Sequence, residues 1–160
     1  MNLINLKKLW IRYGSSEAYE IMVGQFDGLG PTLQQLKIIN SQGVQSFNSL
    51  AFKGLADLES LELINNPRLK SFSEELFLPL SNLVSLEIRQ SAIKVIPKDL
   101  FNGVQELKQL TLELGTSPTA ANFQNNKKLV SVELLNLDAQ KLGSNTTLSL
   151  FSYMTDLKVS

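Results

Sequence analysis

Apolar residues recur along this chain in one short pattern that fits neither a helix nor a simple alternating strand. In its clearest copy, Leu58-x-x-Leu61-x-Leu63, the gaps are two residues and then one, and Asn66 follows. The pattern begins again at Leu6, Leu33, Leu83, Leu107 and Leu129. An amphipathic helix repeats its apolar residues about every 3.6 positions, and a half-buried strand repeats them every second position. Only the part around Leu61 and Leu63 alternates, which predicts a short strand in each copy.

A phenylalanine recurs in step with the leucine pattern. The positions are Phe26, Phe52, Phe77, Phe101, Phe123 and Phe151, separated by 26, 25, 24, 22 and 28 residues. An apolar residue stands three places after most of them, but Asn126 takes that place after Phe123. Each period therefore predicts one coil: a strand, a turn near the Asn66 position, and a return stretch that carries the phenylalanine. One coil is too small to close a core, so the coils must stack.

These phased positions predict a leucine-rich repeat fold. We expect an α/β solenoid of horseshoe shape with about six repeats, short parallel strands on the concave face, and an irregular or short-helical convex side. Residues 1–160 form a single domain in this interpretation. The alternative, a chance run of leucines in another α/β domain, does not explain six phased copies of two motifs.

The turn after each strand is less regular than the strand itself. The Asn66 side chain is expected to bond backbone groups of the neighbouring coil, which a serine can do in part and a glycine or leucine cannot. Other repeats place Gly14, Ser41, Ser91, Gly115 and Leu137 at this position. We therefore expect looser turns at Gly14, Gly115 and Leu137, and irregular loops over residues 13–24 and 115–122.

One segment carries a family resemblance. Ser91 to Leu112, SAIKVIPKDLFNGVQELKQLTL, is similar to the typical extracellular leucine-rich repeats of animals. It resembles repeats of Toll-type receptors and of related insect and vertebrate adhesion proteins, and the resemblance extends over the whole chain. It implies a non-enzymatic module of an extracellular receptor or adhesion protein, with a role in innate immunity. Such a module binds a protein ligand or receptor partner through the concave face or a flank.

The chain departs from that family at its ends. It lacks the cysteine-rich caps that seal such stacks, and it has no transmembrane or signalling segment. The last repeat stops at Leu157 to Ser160, so both ends would expose core and an unpaired strand edge. We therefore expect part of a longer repeat array. The alternative is a structural or matrix protein that self-associates through its uncapped ends.

The amino-acid composition limits which partners and which kinds of functional site the chain can have. Hydrophobic residues make up 43% and charged residues 19%, and 15 basic residues balance 15 acidic ones. Proteins that bind nucleic acid normally carry an excess of basic residues, so nucleic acid is not an expected partner. No apolar run approaches the roughly 20 residues that span a bilayer. The chain has no Cys and no His, which excludes disulfides, Cys/His metal sites and His-dependent nucleophilic catalysis. We expect no enzyme activity, no cofactor and no metal.

The strand side chains that point away from the core form the candidate ligand surface. The predicted binding residues are Trp10, Arg12, Tyr13, Lys37, Glu62, Glu87, Arg89, Glu113 and Glu133. The surface runs from basic and aromatic at its first strand to acidic at its last, and Trp, Tyr and Arg are enriched at interface hot spots. The alternative is a solvated sheet of mixed charge, in which Lys37 simply pairs with Glu62.

Two details of this surface bear on ligands. Ile39, Ile64 and Leu135 are apolar where solvent is expected, which favours a binding role. Glu62 and Glu87 are like-charged neighbours, a mildly unfavourable pair unless a cation or a basic partner lies between them. No Asp-rich loop accompanies them, so a calcium site is not predicted.

Asn145-Thr146-Thr147 is an N-glycosylation sequon. It favours an extracellular or cell-surface location and a glycoprotein. The alternative is an intracellular repeat scaffold in the cytoplasm, which would carry no glycan at Asn145.

Overall fold

A computed structural model describes residues 5–113 and 119–135 of the chain. Its strands are β1 (Lys8–Ile11), β2 (Tyr19–Ile21), β3 (Gln35–Ile39), β4 (Val44–Phe47), β5 (Ser60–Asn66), β6 (Ser85–Ser91), β7 (Gln109–Glu113) and β8 (Ser131–Leu135). Six of them form one parallel sheet in the order β1-β3-β5-β6-β7-β8. The predicted parallel-strand solenoid is therefore confirmed. The only helix in the described ranges is the 3₁₀ turn Ala120–Asn122, so the stretches that lead from strand to strand are almost entirely turns.

The leucine pattern determines the register of this sheet. Two rows of apolar residues run across it: Leu36, Leu61, Leu86 and Leu110, and then Ile38, Leu63, Ile88 and Leu112. All of these side chains are at most 1% exposed. Because alternate residues of a strand face opposite sides, the residues between these rows face outward. A slip of one residue would turn the apolar rows to solvent, so the register is strongly specified.

Backbone hydrogen bonds join consecutive coils just before each strand. The carbonyl oxygen of Lys7 accepts from the amides of Gln34 and Gln35, at 2.8 and 2.9 Å. The same two-amide arrangement repeats at the carbonyl oxygens of Gln34, Glu59, Val84 and Lys108. Each coil is thus tied to the next at an equivalent point, which holds the strands in chain order.

The phenylalanines form a continuous column behind the sheet. Phe26, Phe52, Phe77, Phe101 and Phe123 stack with ring centroids 5.9, 6.2, 6.4 and 5.5 Å apart and interplanar angles of 15–19°. Phe47 and Phe72 pack against this column with tilted rings. Such ring pairs add to the apolar area that each coil buries against its neighbour. Phe151 lies outside the described residues.

The predicted role of the turn asparagine is confirmed at Asn66. Its side chain is fully buried, accepts from the amide of Ser41 at 3.2 Å and donates to the carbonyl of Ile38 at 3.0 Å. Ser41 does part of the same work for the coil before it, because its hydroxyl accepts from the amide of Tyr13 at 3.0 Å. Buried backbone groups of the turn are therefore satisfied by the next coil. The turns expected to be loose at Gly115 and Leu137 lie outside the described residues.

The loop expected over residues 13–24 contains a strand, so that prediction is wrong in part. β2 pairs in parallel with β4, with Tyr19 opposite Val44 and Ile21 opposite Phe47. The stretch before β2 rests on Gly43, where a Cβ atom would lie 2.3 Å from the Glu17 carbonyl oxygen. Arg68 also reaches across to donate to the Ser16 carbonyl at 2.5 Å. Contacts from the second and third coils, and not a local pattern, order this segment.

Two buried asparagines replace leucine-type residues near the 3₁₀ turn. Asn126 donates to the carbonyls of Phe101 and Val104, at 3.0 and 2.9 Å. Asn122 donates to the carbonyl of Pro97 at 3.0 Å and accepts from the Thr119 amide at 2.8 Å. The polar exception in the Phe123 repeat is therefore a hydrogen-bond link to the coil before it.

Replacing Phe77 by alanine should destabilise the stack by about 3–5 kcal/mol, because it opens a cavity in the middle of the ring column. Leu78→Ala is the matched control, since Leu78 is the next residue and is 50% exposed whereas Phe77 is 0% exposed. The control should cost no more than about 0.5 kcal/mol. Urea unfolding of both variants measures the difference. Equal losses would contradict the stacked-coil core.

Candidate functional site

The side chains of the six-stranded sheet that point away from the core form one surface, here called the outer face. It is the surface predicted from the sequence to be the concave ligand-binding face. Its central column is in register across all six strands: Trp10, Lys37, Glu62, Glu87, Thr111 and Glu133. The next column brings Ile39, Ile64 and Arg89 side by side, and Glu113 opposite Leu135. Arg12 follows the end of β1 and extends this column. The structure therefore gathers the sequence-predicted residues on one face, apart from Tyr13.

The β1 end of the outer face is aromatic and cationic. The Trp10 side chain is 67% exposed, and the ammonium of Lys37 lies 5.2 Å from its ring centroid. The same ammonium contacts a Glu62 carboxylate oxygen at 2.7 Å, which confirms the predicted pairing of these residues. Lys37 thus bridges a carboxylate and an aromatic ring. The indole is held in place from one side and presents its remaining surface to solvent.

The acidic end of the outer face is partly neutralised from within the chain. Arg89 Nη1 contacts a Glu87 oxygen at 3.1 Å, and Arg89 Nε lies 3.9 Å from a Glu113 oxygen. The hydrogen bond that Arg89 donates to Glu87, together with the negative charges of Glu87, Glu133 and Glu113, raises the pKa of Arg89 above its ordinary value. Glu133 accepts from the Thr111 hydroxyl at 3.4 Å. Arg89 therefore offsets one of the three carboxylate charges at this end, which keeps an excess of negative charge.

The like-charged neighbours Glu62 and Glu87 are also paired with cations of the chain. The two residues are direct neighbours across β5 and β6. Lys37 pairs with Glu62 and Arg89 with Glu87, so each carboxylate has its own cation. The basic partner that the pair requires is thus supplied by the chain itself. In the described part of the chain, no group of three or more acidic residues is placed to hold a metal ion.

Tyr13 is half-buried and packs against the hydrophobic core. Its ring packs edge-on against Tyr19, with centroids 5.2 Å apart. Burial raises the pKa of Tyr13, and burial together with the nearby Tyr13 raises the pKa of Tyr19 to about 12. The Tyr19 hydroxyl is buried and has no hydrogen-bond partner among the described residues. Tyr13 therefore supports the N-terminal loop more than it offers contact area to a ligand.

A groove of about 490 Å³ runs along the flank where the chain enters the strands. It is lined by Lys7, Pro31, Thr32, Gln34, Asp57, Glu59, Asn82, Val84 and Glu106. These positions stand just before and just after the first leucine of each copy, a regularity that was visible in the sequence but was not used to predict a site. Most of the lining residues are polar or charged, and Lys128 pairs with Glu106 through contacts of 2.5 and 2.6 Å.

Two other predictions concern location. Asn145, the predicted glycosylation site, lies outside the described residues. No helix within residues 5–113 or 119–135 has the length and apolar character needed to cross a bilayer.

Comparison with known proteins places the chain among repeat proteins. A family model described as the BspA type leucine rich repeat region matches residues 24–157 with six copies. No curated protein matches the sequence. Among solved structures, a chain of the Toll–Spatzle complex, described as a molecular hub in Drosophila development and innate immunity, superposes with a TM-score of 0.65 at 18% identity. The match covers 97% of this chain and 23% of that one, so this chain spans under a quarter of it. At this identity the likeness shows the fold.

Tyr19→Phe should change how stability depends on pH. The folded state holds Tyr19 neutral, with a pKa of about 12 against 10.0 for an unperturbed tyrosine. Its contribution to stability is therefore present below about pH 10 and is lost as the pH rises towards 12. The phenylalanine variant should lose less stability over that window. At neutral pH it should be at least as stable as the wild type, because an unpaired buried hydroxyl is removed. Urea unfolding from neutral pH to about pH 12 tests both points. Parallel stability curves for the two proteins would contradict the first, and a less stable variant at neutral pH would contradict the second.

Proposed function

The chain belongs to the BspA-type leucine-rich repeat family, and from that premise we propose that it is a non-catalytic protein-recognition module whose binding site is the outer face. The observation that carries this proposal is Trp10. It is the largest exposed apolar side chain on the sheet, and it is fixed by Lys37 in a surface that also carries Arg12 and Arg89. Trp and Arg are the residue types most enriched among binding hot spots.

The rigidity of the outer face supports the same proposal. Its side chains stand on hydrogen-bonded strands whose register is set by buried leucines, so little conformational entropy is lost when a partner binds. Half-buried Ile39 and Ile64 add apolar surface between the charged positions. The likeness to a chain of the Toll–Spatzle complex adds that this fold occurs in a protein that forms a complex with another.

We further propose that the module belongs to an extracellular or cell-surface receptor or adhesion protein with a role in innate immunity. The sequon at Asn145 and the Toll-like fold support this placement. An intracellular scaffold, or a structural protein that self-associates through its ends, is the alternative. Intact mass of the protein from its natural source, before and after enzymatic removal of N-glycans, tests the placement. A sugar-sized loss that maps to the Asn145 peptide supports it, and an unmodified Asn145 peptide contradicts it.

Selection of binding peptides from a displayed random library tests the recognition proposal without knowledge of the natural partner. Peptides enriched on the wild-type chain should bind the double variant Trp10→Ala, Glu87→Lys about tenfold more weakly or worse, as loss of a hot spot implies. The matched control is Leu78→Ala with Glu75→Lys. It likewise truncates one exposed apolar side chain to alanine and changes one exposed glutamate to lysine, but on the return side, and it should leave binding intact.

Thermal unfolding must show that both double variants are folded like the wild type. Peptides that bind the outer-face variant as well as the wild type would contradict the proposal. If those peptides instead bound the Glu59→Lys variant more weakly than the wild type, the binding site would be the flank groove. A library that yields no enriched sequence would also count against a recognition module.

A further inference from the structure

The charges of the outer face are divided unevenly between paired and unpaired groups. Glu62 and Glu87 have cation partners, Glu113 accepts from the Gln90 amide at 3.3 Å and lies near Arg89, and Glu133 accepts from Thr111. In the described part of the chain, by contrast, Lys8 and Arg12 form no ion pair and no side-chain hydrogen bond, and both are exposed. The cations of this face that lack an anionic partner therefore lie at the β1 end, whereas the Glu133 end keeps an excess of negative charge.

The unpaired cations flank the exposed indole at a regular spacing. Lys8 and Trp10 lie on β1, Arg12 follows its last residue, and all three are exposed. Positions i, i+2 and i+4 of an extended chain project to the same side, about 6.6 Å apart in steps of two residues. The order along this edge is thus cation, aromatic ring, cation.

Lys37 sets which side of the indole a partner can use. Its ammonium lies 5.2 Å from the Trp10 ring centroid and is anchored by Glu62 at 2.7 Å. That side of the ring is therefore already occupied by a fixed cation. The Trp10 side chain nevertheless remains 67% exposed, and in sequence it lies between the two unpaired cations.

We propose that the β1 end of the outer face, through Lys8, Trp10 and Arg12, recognises an extended acidic segment of a protein partner. The segment has the pattern acid-x-apolar-x-acid, because its alternate side chains then repeat at the spacing of the three residues. The carboxylates pair with Lys8 and Arg12, and the apolar side chain packs on Trp10. This inference rests on the proposed function, since it names the chemistry of the partner that the outer face binds.

Three short fluorescent peptides test the inference by anisotropy. The first carries Glu-Ser-Leu-Ser-Glu, the second replaces both glutamates by lysine, and the third is a scrambled peptide with the composition of the first. The first peptide should bind most tightly, and its binding should weaken as salt is raised. Lys8→Glu with Arg12→Glu should weaken it by at least about tenfold, and Trp10→Ala by a similar factor.

A matched control is available on the return side. Lys70→Glu with Lys94→Glu reverses the same number of charges at exposed lysines and should leave binding of the first peptide unchanged. If both charge-reversal variants weaken binding equally, the peptide responds to net charge alone and the inference is overturned. Equal binding of the scrambled peptide would overturn the spacing argument, and tighter binding of the lysine peptide would move the site to the acidic end.

Two further outcomes separate this inference from the proposed function. If library-selected peptides lose affinity for outer-face variants but are not acidic, the proposed recognition function is supported and the inference of an acidic partner is overturned. If those selected peptides bind the outer-face variants as tightly as the wild type, the proposed function is contradicted, whichever result the synthetic peptides give. Sedimentation of the wild-type protein tests whether it self-associates. A dimer abolished by Lys8→Glu with Arg12→Glu would mean that a second copy occupies the patch, and would overturn the inference.

Discussion

Contact between successive coils is the constraint on which this structure depends, because no coil can bury its own leucines and phenylalanines. Phe77 lies between Phe52 and Phe101, and Leu61 lies between Leu36 and Leu86, so each residue completes the core of two neighbours. The buried Asn66 adds a polar version of the same rule by satisfying the turn of the preceding coil. Core, turns and strand order therefore all follow from one repeated contact.

The outer face inherits its order from that buried register. Since leucines fix which residues are neighbours, Lys37 must lie beside both Trp10 and Glu62, and Glu62 beside Glu87. The chain resolves the resulting like-charge contact with Arg89, which reaches back to Glu87 on its own strand. Arg89 thereby offsets part of the negative charge at the acidic end, whereas Lys8 and Arg12 have no anionic partner among the described residues. A chain of zero net formal charge can in this way present a positive region at one end of its sheet and a negative region at the other.

The fold was predictable because its determinants recur: the strand leucines and the phenylalanine column can be read from spacing alone. The central column of the outer face was predictable for the same reason. The strand β2 was not, because Tyr19, Glu20 and Ile21 are too few to show a period, and because their partner strand lies 25 residues away. Nor could spacing reveal that Arg68 would reach Ser16, that Asn126 would link two coils, or that Arg89 would neutralise Glu87, since side-chain direction decides each of these.

Distances between spin labels across the sheet test the central claim, that one repeated contact holds the strands side by side in chain order. The chain has no cysteine, so paired cysteine substitutions label it cleanly. Ser131 as the fixed site, combined in turn with Ser60, Gln35 and Lys8, spans three, four and five strand intervals. The stacked-coil account predicts distances that grow by about 4.8 Å per interval, reaching about 24 Å for Lys8. Distances that do not increase in this order would contradict it.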